Sequence, residues 1–328
     1  MGLERYWYDG SRWTLLLRPF SLLFRYLAAR RRRRFARSER VWKAPVPVII
    51  VGNISVGGSG KTPLTLYLID WLREQGYRPG VVSRGYAAHP PETPFRVDPD
   101  STAYEGGDEP LLIVRRTGVP LYIDPDRVAA AQALLSQTDC DVILSDDGLQ
   151  HYALGRDLEL AVIDGARGLG NGQCLPEGPL REPPDRLEEV DAVIINGRGR
   201  FDYPGAFHFE LKPGALVSLN DGRALSPSLW KGPREVHAIA GIGNPSRFFE
   251  TLRQLGFDPI EHPLPDHAEL GPEMLKFSDE RPVIMTEKDA VKCPAGALGD
   301  GWALRVDAYP DPAFRDWLSS RLKQLKQT

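Results

Sequence analysis

Cysteine is scarce in this chain of 328 residues, and its spacing excludes two kinds of site. Cys140, Cys174 and Cys293 lie far apart, and no C-x-x-C or Cys/His ligand spacing occurs. Disulfide frameworks and structural zinc sites need numerous or closely spaced cysteines, so neither is indicated. We therefore expect a protein of a reducing compartment. Its length suggests about two domains, each with an apolar core.

The sequence also lacks an apolar run long enough to cross a bilayer. The apolar stretch within residues 13–27 is interrupted by arginines, whereas a span needs about 20 consecutive residues. What is present is a basic arm. Residues 1–43 carry twelve Arg and Lys against three Asp and Glu, including Arg30–Arg34 with Arg37 and Arg40 behind them, and the remaining chain has a net charge of −12. This asymmetry predicts an anionic partner surface.

Three interpretations of the arm are open. Aromatic and leucine side chains between arginines favour a helix that lies in a membrane interface over anionic headgroups. A helix docked on the protein itself is the second interpretation, because many surface helices share this pattern. Nucleic-acid binding is the least favoured, because no nucleic-acid-reading motif accompanies the arginines. We expect no nucleic-acid partner and see no sign of an obligate protein partner.

A glycine-rich loop lies between an apolar run (46–51) and a helical pattern (62–75). Its sequence is Ser55-Val56-Gly57-Gly58-Ser59-Gly60-Lys61-Thr62. A loop of this kind between a strand and a helix cradles phosphates with backbone N–H groups, while the lysine reaches the β- and γ-phosphates and the threonine holds Mg²⁺. The alternative interpretation is an ordinary glycine-rich turn before a helix. Ser55 stands where the usual motif begins with glycine.

Acidic residues follow two other apolar or glycine-rich segments. Asp146 and Asp147 end the run 142–145, where P-loop proteins carry the acid that holds Mg²⁺. Asp108 follows Gly106-Gly107, where a carboxylate could accept a proton from an attacking hydroxyl. The alternative for Asp108 is a helix cap, and spacing alone does not separate the two. His267 follows a proline-containing loop, where it could orient or polarise a carboxylate. The competing interpretation is an ordinary surface histidine.

The order of elements predicts an α/β fold with a mostly parallel sheet and helices on both faces. We expect a basic amphipathic arm at 1–43, a P-loop domain at 44–210, and a second, smaller α/β domain at 211–328 that ends in a helix near 312–325. The glycine- and proline-rich stretch around 200–232 reads as the boundary. On these boundaries Asp108 and His267 come from different units, so that domain closure would bring them together.

Taken together, these motifs resemble those of the tetraacyldisaccharide 4′-kinases, a family of lipid A kinases of Gram-negative bacteria. The resemblance spans about residues 48–291 and includes the matching amphipathic start. Its carriers are 52–63, Ser83-Arg84-Gly85-Tyr86, Gly107-Asp108-Glu109-Pro110, Asp146-Asp147-Gly148-Leu149-Gln150-His151, 175–182, Asp266-His267 and Thr286-Glu287-Lys288-Asp289-Ala290. In that family the loop commonly starts with Ser or Thr, so Ser55 fits it.

The resemblance implies a P-loop kinase that uses ATP and Mg²⁺. It implies transfer of the γ-phosphoryl group to the 4′-hydroxyl of a tetraacylated glucosamine disaccharide 1-phosphate, at the cytoplasmic face of the inner membrane, by a peripheral or monotopic protein. Asp108 would be the base, paired with His267, and Lys61 would stabilise the transferred group. Implied metal contacts are Thr62, Asp146, Asp147 and Glu182, and implied substrate contacts are Arg84, Arg127, His151, Asn171 and Arg181.

Two other classes of function compete with this interpretation. A P-loop GTPase would carry a guanine-reading N/T-K-x-D motif, and in Thr286-Glu287-Lys288-Asp289 the lysine stands one place too late. The second is a membrane-associated switch or scaffold that binds nucleotide without transferring phosphate. Comparing ATP with GTP binding separates the GTPase from the kinase, and transfer of labelled γ-phosphate to a glycolipid separates the scaffold from the kinase.

Overall fold

The computed structural model describes residues 6–36, 41–294 and 296–325. Arg37 and Arg40 of the basic arm lie outside these ranges. The described residues form eight α-helices: α1 (Arg18–Ala36), α2 (Lys61–Glu74), α3 (Ala103–Gly106), α4 (Asp108–Thr117), α5 (Arg127–Gln137), α6 (Pro245–Gln254), α7 (Glu287–Ala290) and α8 (Pro312–Leu325). Short 3₁₀ helices add Arg12–Leu17, Pro184–Glu188, Pro227–Leu229 and Pro272–Leu275.

Thirteen strands lie within the same described ranges. They are β1 (Val48–Gly52), β2 (Pro79–Ser83), β3 (Phe95–Val97), β4 (Leu121–Ile123), β5 (Val142–Asp146), β6 (Leu158–Asp164), β7 (Ala192–Asn196), β8 (Phe207–Ser218), β9 (Ala224–Leu225), β10 (Glu235–Ala240), β11 (Asp258–Pro263), β12 (Val283–Thr286) and β13 (Gly301–Pro310). Most of the predicted strands and helices are confirmed to within two residues at each end. Strand β8 is an exception, because its residues were read as a loose boundary region.

The chain divides into two compact units. Unit 1 comprises residues 1–84, 119–211 and 308–328, and unit 2 comprises residues 85–118 and 212–307. The composition of the units differs from the expected boundaries at two places. The segment Gly85–Gly118, which carries Asp108, groups with the second unit, and the final helix α8 groups with the first. Asp108 and His267 therefore belong to one unit, which corrects the expectation that domain closure brings them together.

Unit 1 is built on a parallel sheet with the order β4-β2-β5-β1-β6-β7, to which the start of β8 is added. Strand β1 lies in the middle, paired with β5 and β6. Parallel strands place their carboxyl ends at one edge of the sheet, and ligands of such sheets bind there. The loop after β1 and the acids at the end of β5 are thereby brought to the same edge, as the sequence predicts.

Both faces of this sheet are covered. Val48 and Ile50 belong to an apolar cluster with Ala131 and Leu134 of α5. Side chains alternate along a strand, so Ile49 and Val51 point to the opposite face, and they are completely buried as well. Helix α2 contacts β1, β2 and β5 and buries Leu64, Leu68 and Leu72. The predicted α/β class, mostly parallel with helices against the sheet, is confirmed.

Unit 2 contains a second parallel set of strands, in the order β11-β10-β12-β13. Strands β8 and β9 form its antiparallel pair, with Leu216 opposite Leu225. Helix α6 buries Phe248, Phe249 and Leu252 in an apolar cluster that includes residues of β10, β12 and β13. The turn between β10 and α6 holds Gly241-Ile242-Gly243, which connects a strand to a helix.

The N-terminal helix α1 packs on unit 1 through polar contacts. Ser21 Oγ donates to Cys174 O at 2.8 Å, and Arg18 pairs with the buried carboxylate of Glu177 at 3.0 Å. Its large apolar side chains are left in solvent, among them Phe20, which is 63% exposed, and the same holds for Leu16 of the preceding 3₁₀ helix, which is 78% exposed. A soluble helix ordinarily packs its apolar face inward, so this orientation is the reverse of the usual one. In the described part of the chain, every helix falls short of the length or the apolar content that crossing a membrane would require.

Candidate active site

The loop between β1 and α2 is shaped by glycines. Gly57 and Gly60 have φ values of 98° and 95°, which L-residues rarely adopt, and Gly60 directly precedes α2. A Cβ atom at Gly60 would lie 2.6 Å from the Nδ2 atom of Asn196, whose amide donates to Ser59 O at 3.1 Å. Gly60 is the N-cap of this 14-residue helix and makes no side-chain cap bond, so the loop turns directly into the helix N-terminus. This is the backbone geometry that binds phosphate.

Ser55 has a structural reason to occupy the first position of the loop. Its N–H and its hydroxyl both donate to Asn53 Oδ1, at 3.0 and 3.1 Å. A second segment supports the same region, because Val56 N donates to Pro179 O at 2.9 Å and Arg181 N donates to Ile54 O at 2.6 Å. The loop 175–182 thus supports the phosphate loop through backbone hydrogen bonds.

Asp147 is the acid that faces the loop lysine. Its carboxylate lies 3.6 Å from Lys61 Nζ and accepts from Arg181 Nη1 at 2.7 Å. Burial by itself would raise the pKa of Asp147, but Lys61, Arg181 and Arg127 outweigh it and lower the pKa to about 2. Asp147 is therefore a carboxylate at every physiological pH. Asp146, at the end of β5, is 2% exposed and lies opposite Val51 of β1 in the strand register.

These residues suit a bound Mg²⁺. Asp147 Oδ1 is buried and has no hydrogen-bond donor among the described residues, which is the state of an oxygen that a cation can use. No group of three or more His, Cys, Asp or Glu side chains in the described ranges is arranged to hold a metal by itself. Mg²⁺ at nucleotide sites takes only one or two carboxylates and completes its shell with phosphates and water. Thr62, Asp146 and Asp147 match that kind of site.

Two of the predicted substrate contacts, Arg127 and Arg181, lie beside Asp147, and a third, His151, lies near Asp126. Arg127 is buried and donates to Asp147 O at 3.3 Å. Burial lowers the pKa of Arg127 to about 10, against the opposing effect of Asp147, and leaves it a cation. His151 lies 3.5 Å from Asp126, and burial together with Arg127 lowers its pKa to about 4. His151 is thus a neutral ring at neutral pH.

Glu182 is a predicted metal contact, and Asn171 and Arg84 are predicted substrate contacts. Glu182 is 3% exposed, and its carboxylate accepts from Gln150 Nε2 at 2.8 Å and from the Tyr152 hydroxyl. These bonds favour a structural role for Glu182, because its oxygens are already used. Asn171 donates to Glu177 O at 2.9 Å and so closes its own loop. Arg84 is exposed just after β2.

In unit 2, Asp108 opens helix α4. Gly107, at φ 81°, is the N-cap residue and makes no side-chain cap bond, so Asp108 does not serve as the cap that the alternative interpretation proposed. Asp108 Oδ2 lies 3.2 Å from His267 Nδ1 and 3.8 Å from Lys292 Nζ. His267 has φ 61°, a backbone state that non-glycine residues rarely adopt and that is concentrated at functional sites. A carboxylate paired with a histidine is equipped to accept a proton.

Sequence reasoning did not give Lys288 and Lys292 a role. Lys292 is 6% exposed and also pairs with Asp289 at 2.8 Å. Lys288 Nζ lies within 3.3 Å of Glu109, Asp266 and His267. Both lysines fall in or next to the motif Thr286-Glu287-Lys288-Asp289-Ala290. The motif marked the segment, but nothing in its pattern indicated that it meets residues 108 and 109.

The fold and the two groups of residues define a class of protein. A glycine-rich phosphate loop stands at the edge of a parallel sheet, with acids at the neighbouring strand end and a lysine between them. In unit 2 a carboxylate and a histidine lie together, with 3.2 Å between Asp108 Oδ2 and His267 Nδ1. These are the parts of a P-loop phosphotransferase.

Comparison with known proteins names the family. The family described as tetraacyldisaccharide-1-P 4′-kinase matches residues 13–323, so the chain belongs to it. Tetraacyldisaccharide 4′-kinase of Pseudomonas putida W619 is 55% identical over 97% of the chain and 95% of its own length. That of Azotobacter vinelandii is 56% identical over 97% and 96%. A crystal structure of LpxK from Aquifex aeolicus in complex with ATP has a TM-score of 0.79 at 28% identity, covering 94% of this chain and 99% of that one.

Membership confirms the predicted class of activity. The chain is an ATP-dependent kinase, and the alternative of a nucleotide-binding switch or scaffold without kinase activity is set aside. The roles predicted for individual residues depend on the geometry of each unit.

Proposed function

We propose that this kinase transfers the γ-phosphoryl group of ATP to the 4′-hydroxyl of a tetraacylated glucosamine disaccharide 1-phosphate. The observation that carries the proposal is the Asp108–His267 pair, with 3.2 Å between Oδ2 and Nδ1. A protein that only binds nucleotide, without transferring a phosphoryl group, has no use for such a base. In a chain that also has a phosphate loop, the pair supports a hydroxyl group as the acceptor.

In the proposed reaction, the 4′-hydroxyl oxygen forms a bond to the γ-phosphorus. The bond from that phosphorus to the oxygen bridging to the β-phosphate breaks, and ADP leaves with that electron pair. The hydroxyl proton passes to Asp108. Lys61, 9% exposed at the start of α2, lies where a cation stabilises the charge on the transferred group.

Mg²⁺, held by Thr62, Asp146 and Asp147 together with phosphate oxygens, would neutralise charge on the β- and γ-phosphates. Asp147 keeps its charge because Lys61 and Arg181 hold its pKa low. Phosphoryl transfer involves little covalent work by the protein, so alignment and charge supply most of the rate. We assign Arg127 and Arg181 to anionic groups of the bound substrates, because guanidinium groups suit phosphate.

The direct test is transfer of labelled γ-phosphate to a purified tetraacylated disaccharide 1-phosphate in mixed micelles. We expect a product with one additional phosphate, formed with ATP and Mg²⁺ and much more slowly with GTP. A 4′-deoxy acceptor is the matched control, since it keeps the lipid and lacks the nucleophile. Hydrolysis of ATP without any labelled lipid would contradict the proposal.

We further propose that the protein works as a peripheral protein on an anionic membrane surface, at the cytoplasmic face of the inner membrane. The support is the outward apolar side of the N-terminal segment, lined by Leu15, Leu16, Phe20, Leu22, Leu23, Tyr26 and Leu27. Exposed apolar patches of this kind mark interaction surfaces. The arginines at 30–34 follow on the same helix and suit anionic headgroups.

The membrane proposal is tested by vesicle flotation. The variant Leu16→Asp with Phe20→Asp should lose most binding to phosphatidylglycerol vesicles, because it places charge in the apolar patch. Leu229→Asp is the control, since Leu229 is 64% exposed in unit 2 and should bind normally. Equal flotation of both variants would contradict the assignment of this helix to the membrane.

A further inference from the structure

One loop of unit 1 is fixed from two sides. We call residues 174–181 the bracing loop and residues 7–21 the N-terminal segment, and both belong to unit 1. Trp7, which is 6% exposed, donates its indole N–H to Pro176 O at 3.1 Å. Ser21 Oγ donates to another carbonyl of the bracing loop at 2.8 Å. The N-terminal segment is therefore docked on the bracing loop, while its large apolar side chains point outward.

An ion pair is the central contact between the N-terminal segment and the bracing loop. Arg18 Nε and Nη2 donate to Glu177 Oε1 at 3.1 and 3.0 Å, and the Glu177 side chain is 2% exposed. A buried carboxylate that loses its cation is costly, so Arg18 keeps Glu177 in place. A bond within the loop, from Gly178 N to Cys174 O at 3.0 Å, makes the loop compact. A displacement of Glu177 therefore moves the bracing loop as a whole.

The other side of the bracing loop is bonded to the phosphate loop. Pro179 O accepts from Val56 N at 2.9 Å, and Ser55 pairs with Leu180 in an antiparallel bridge. The next residue, Arg181, carries the guanidinium group that pairs with the carboxylate of the predicted metal site at 2.7 Å. The shape of the phosphate loop therefore depends on where the bracing loop lies.

Arg167 provides a second route from the N-terminal segment to the phosphate loop. Its Cζ atom lies 5.9 Å from the centre of the Tyr8 ring, a distance at which a cation and an aromatic face attract each other. Its Nη1 atom would lie 3.2 Å from a Cβ atom at Gly57, so the guanidinium group borders the phosphate loop. The N-terminal segment is thus linked to the phosphate loop through two separate elements of unit 1, the bracing loop and the turn after β6.

We propose that the docked N-terminal segment supports the nucleotide site, and that Arg18 and Glu177 are positioning residues that couple its docking to the affinity for ATP. When the segment is docked, the bracing loop holds the phosphate loop in the shape that binds phosphate. When it leaves, that support is lost and ATP binds more weakly. The coupling is reciprocal, so bound nucleotide holds the segment more tightly. This role is additional to the proposed membrane attachment, which uses the outward side of the segment, and it needs no membrane.

Calorimetric titration of the full-length protein in detergent, with Mg²⁺ and AMP-PNP, measures the affinity without vesicles or lipid acceptor. Arg18→Met should weaken binding by about 5- to 20-fold, the lower part of the range for coupled sites. Glu177→Gln should weaken it in the same direction. Arg18→Lys keeps the charge and should stay within about threefold of the parent protein. Arg12→Met is the control, because Arg12 is exposed on the same segment and its loss removes the same charge. Equal affinities of Arg18→Met and Arg12→Met would overturn the proposal.

Hydrogen exchange in the unaltered protein is the second readout, and it does not depend on the folding of any variant. Saturating AMP-PNP with Mg²⁺ should slow exchange of the amides at 19–30 by about the same 5- to 20-fold, because reciprocity makes the two effects equal. Helix α8 of the same unit is the control and should be protected less. Protection at 19–30 no greater than in α8 would overturn the proposal. If no lipid is phosphorylated or no vesicle is bound, the proposed function fails, while these two measurements still decide the role of the segment.

Discussion

Units 1 and 2 each build a polar site around one carboxylate, and the two carboxylates are held in different ways. Asp147 in unit 1 faces two basic side chains, Lys61 and Arg181, which lower its pKa. Asp108 in unit 2 faces a histidine and one lysine. Cations beside a carboxylate favour its charged form, whereas we propose that the carboxylate paired with a histidine accepts the proton of the substrate hydroxyl.

The backbone marks the same two places. Within the described residues, Ala87, Asp147 and His267 are the non-glycine residues with positive φ. Such a conformation costs of order 1–3 kcal/mol and persists only when the surroundings enforce it. Asp147 belongs to the polar site of unit 1, and His267 belongs to that of unit 2. The comparison therefore teaches that each polar site contains a side chain whose backbone is held against its local preference, Asp147 in unit 1 and His267 in unit 2.

The largest expected effect tests the proposed role of Asp108 as the group that accepts the substrate proton. Asp108→Asn keeps the size of the side chain and its contact with His267 but removes the basic oxygen. We expect turnover to fall by about 10²- to 10⁴-fold, the usual contribution of a general base, with little change in ATP affinity. Steady-state kinetics on the lipid acceptor and nucleotide titration measure the two quantities separately.

The control for Asp108→Asn is Asp98→Asn in the same unit. Asp98 pairs on the surface with Arg96 at 3.1 Å, and exposed pairs contribute little. Near-normal turnover of Asp108→Asn would remove Asp108 from the role of base. It would also end the contrast between the two carboxylates.

The next largest effect tests whether the negative charge of Asp147 is needed for activity. Asp147→Asn removes the negative charge between Lys61 and Arg181 while keeping the side-chain shape. We expect a loss of about 10- to 100-fold in activity, the range seen when groups that orient a metal site are removed. The loss should be larger at low Mg²⁺, and a Mg²⁺ titration of the rate measures it. Asp139→Asn, on an exposed pair with Arg78, should behave normally, and equal Mg²⁺ dependence of both variants would contradict the assignment.

Much of unit 1 could be predicted because its signals are local. Apolar strands of five residues, a Gly-Lys-Thr loop and helix starts each depend on neighbours in sequence, and their order fixes the edge at which Lys61 and Asp147 meet. Strand β8 was missed for a local reason as well. Pro213 and Gly214 are typical of turns, and they conceal a strand of 12 residues.

The site in unit 2 was harder to predict because its contacts join distant segments. Arg116 and Glu287 are 171 residues apart, and Asp108 and His267 are 159 apart. No periodicity or spacing reports such pairings, so the expected boundaries put Asp108 with the phosphate loop. Family motifs indicated which residues matter, but the partner of each residue came from the fold.

The smallest expected effect compares two histidines. His151 in unit 1 is neutral because burial and Arg127 lower its pKa from 6.5 to about 4 and outweigh the opposing effect of Asp126, which lies 3.5 Å away. In the unfolded chain His151 binds a proton near pH 6.5, so the native state loses stability as the pH falls from 6.5 toward 4.

At pH 5 this cost is about 2 kcal/mol relative to neutral pH, given about 1.4 kcal/mol per unit. His151→Asn should remove that part of the acid sensitivity, so urea unfolding at pH 7.5 and pH 5 should differ less for the variant than for the parent protein. His89→Asn is the control, because His89 is exposed and stacks on Tyr104. If both variants lose stability with acid as steeply as the parent, burial of His151 as a neutral ring is refuted, and the two histidines would no longer differ in the way proposed.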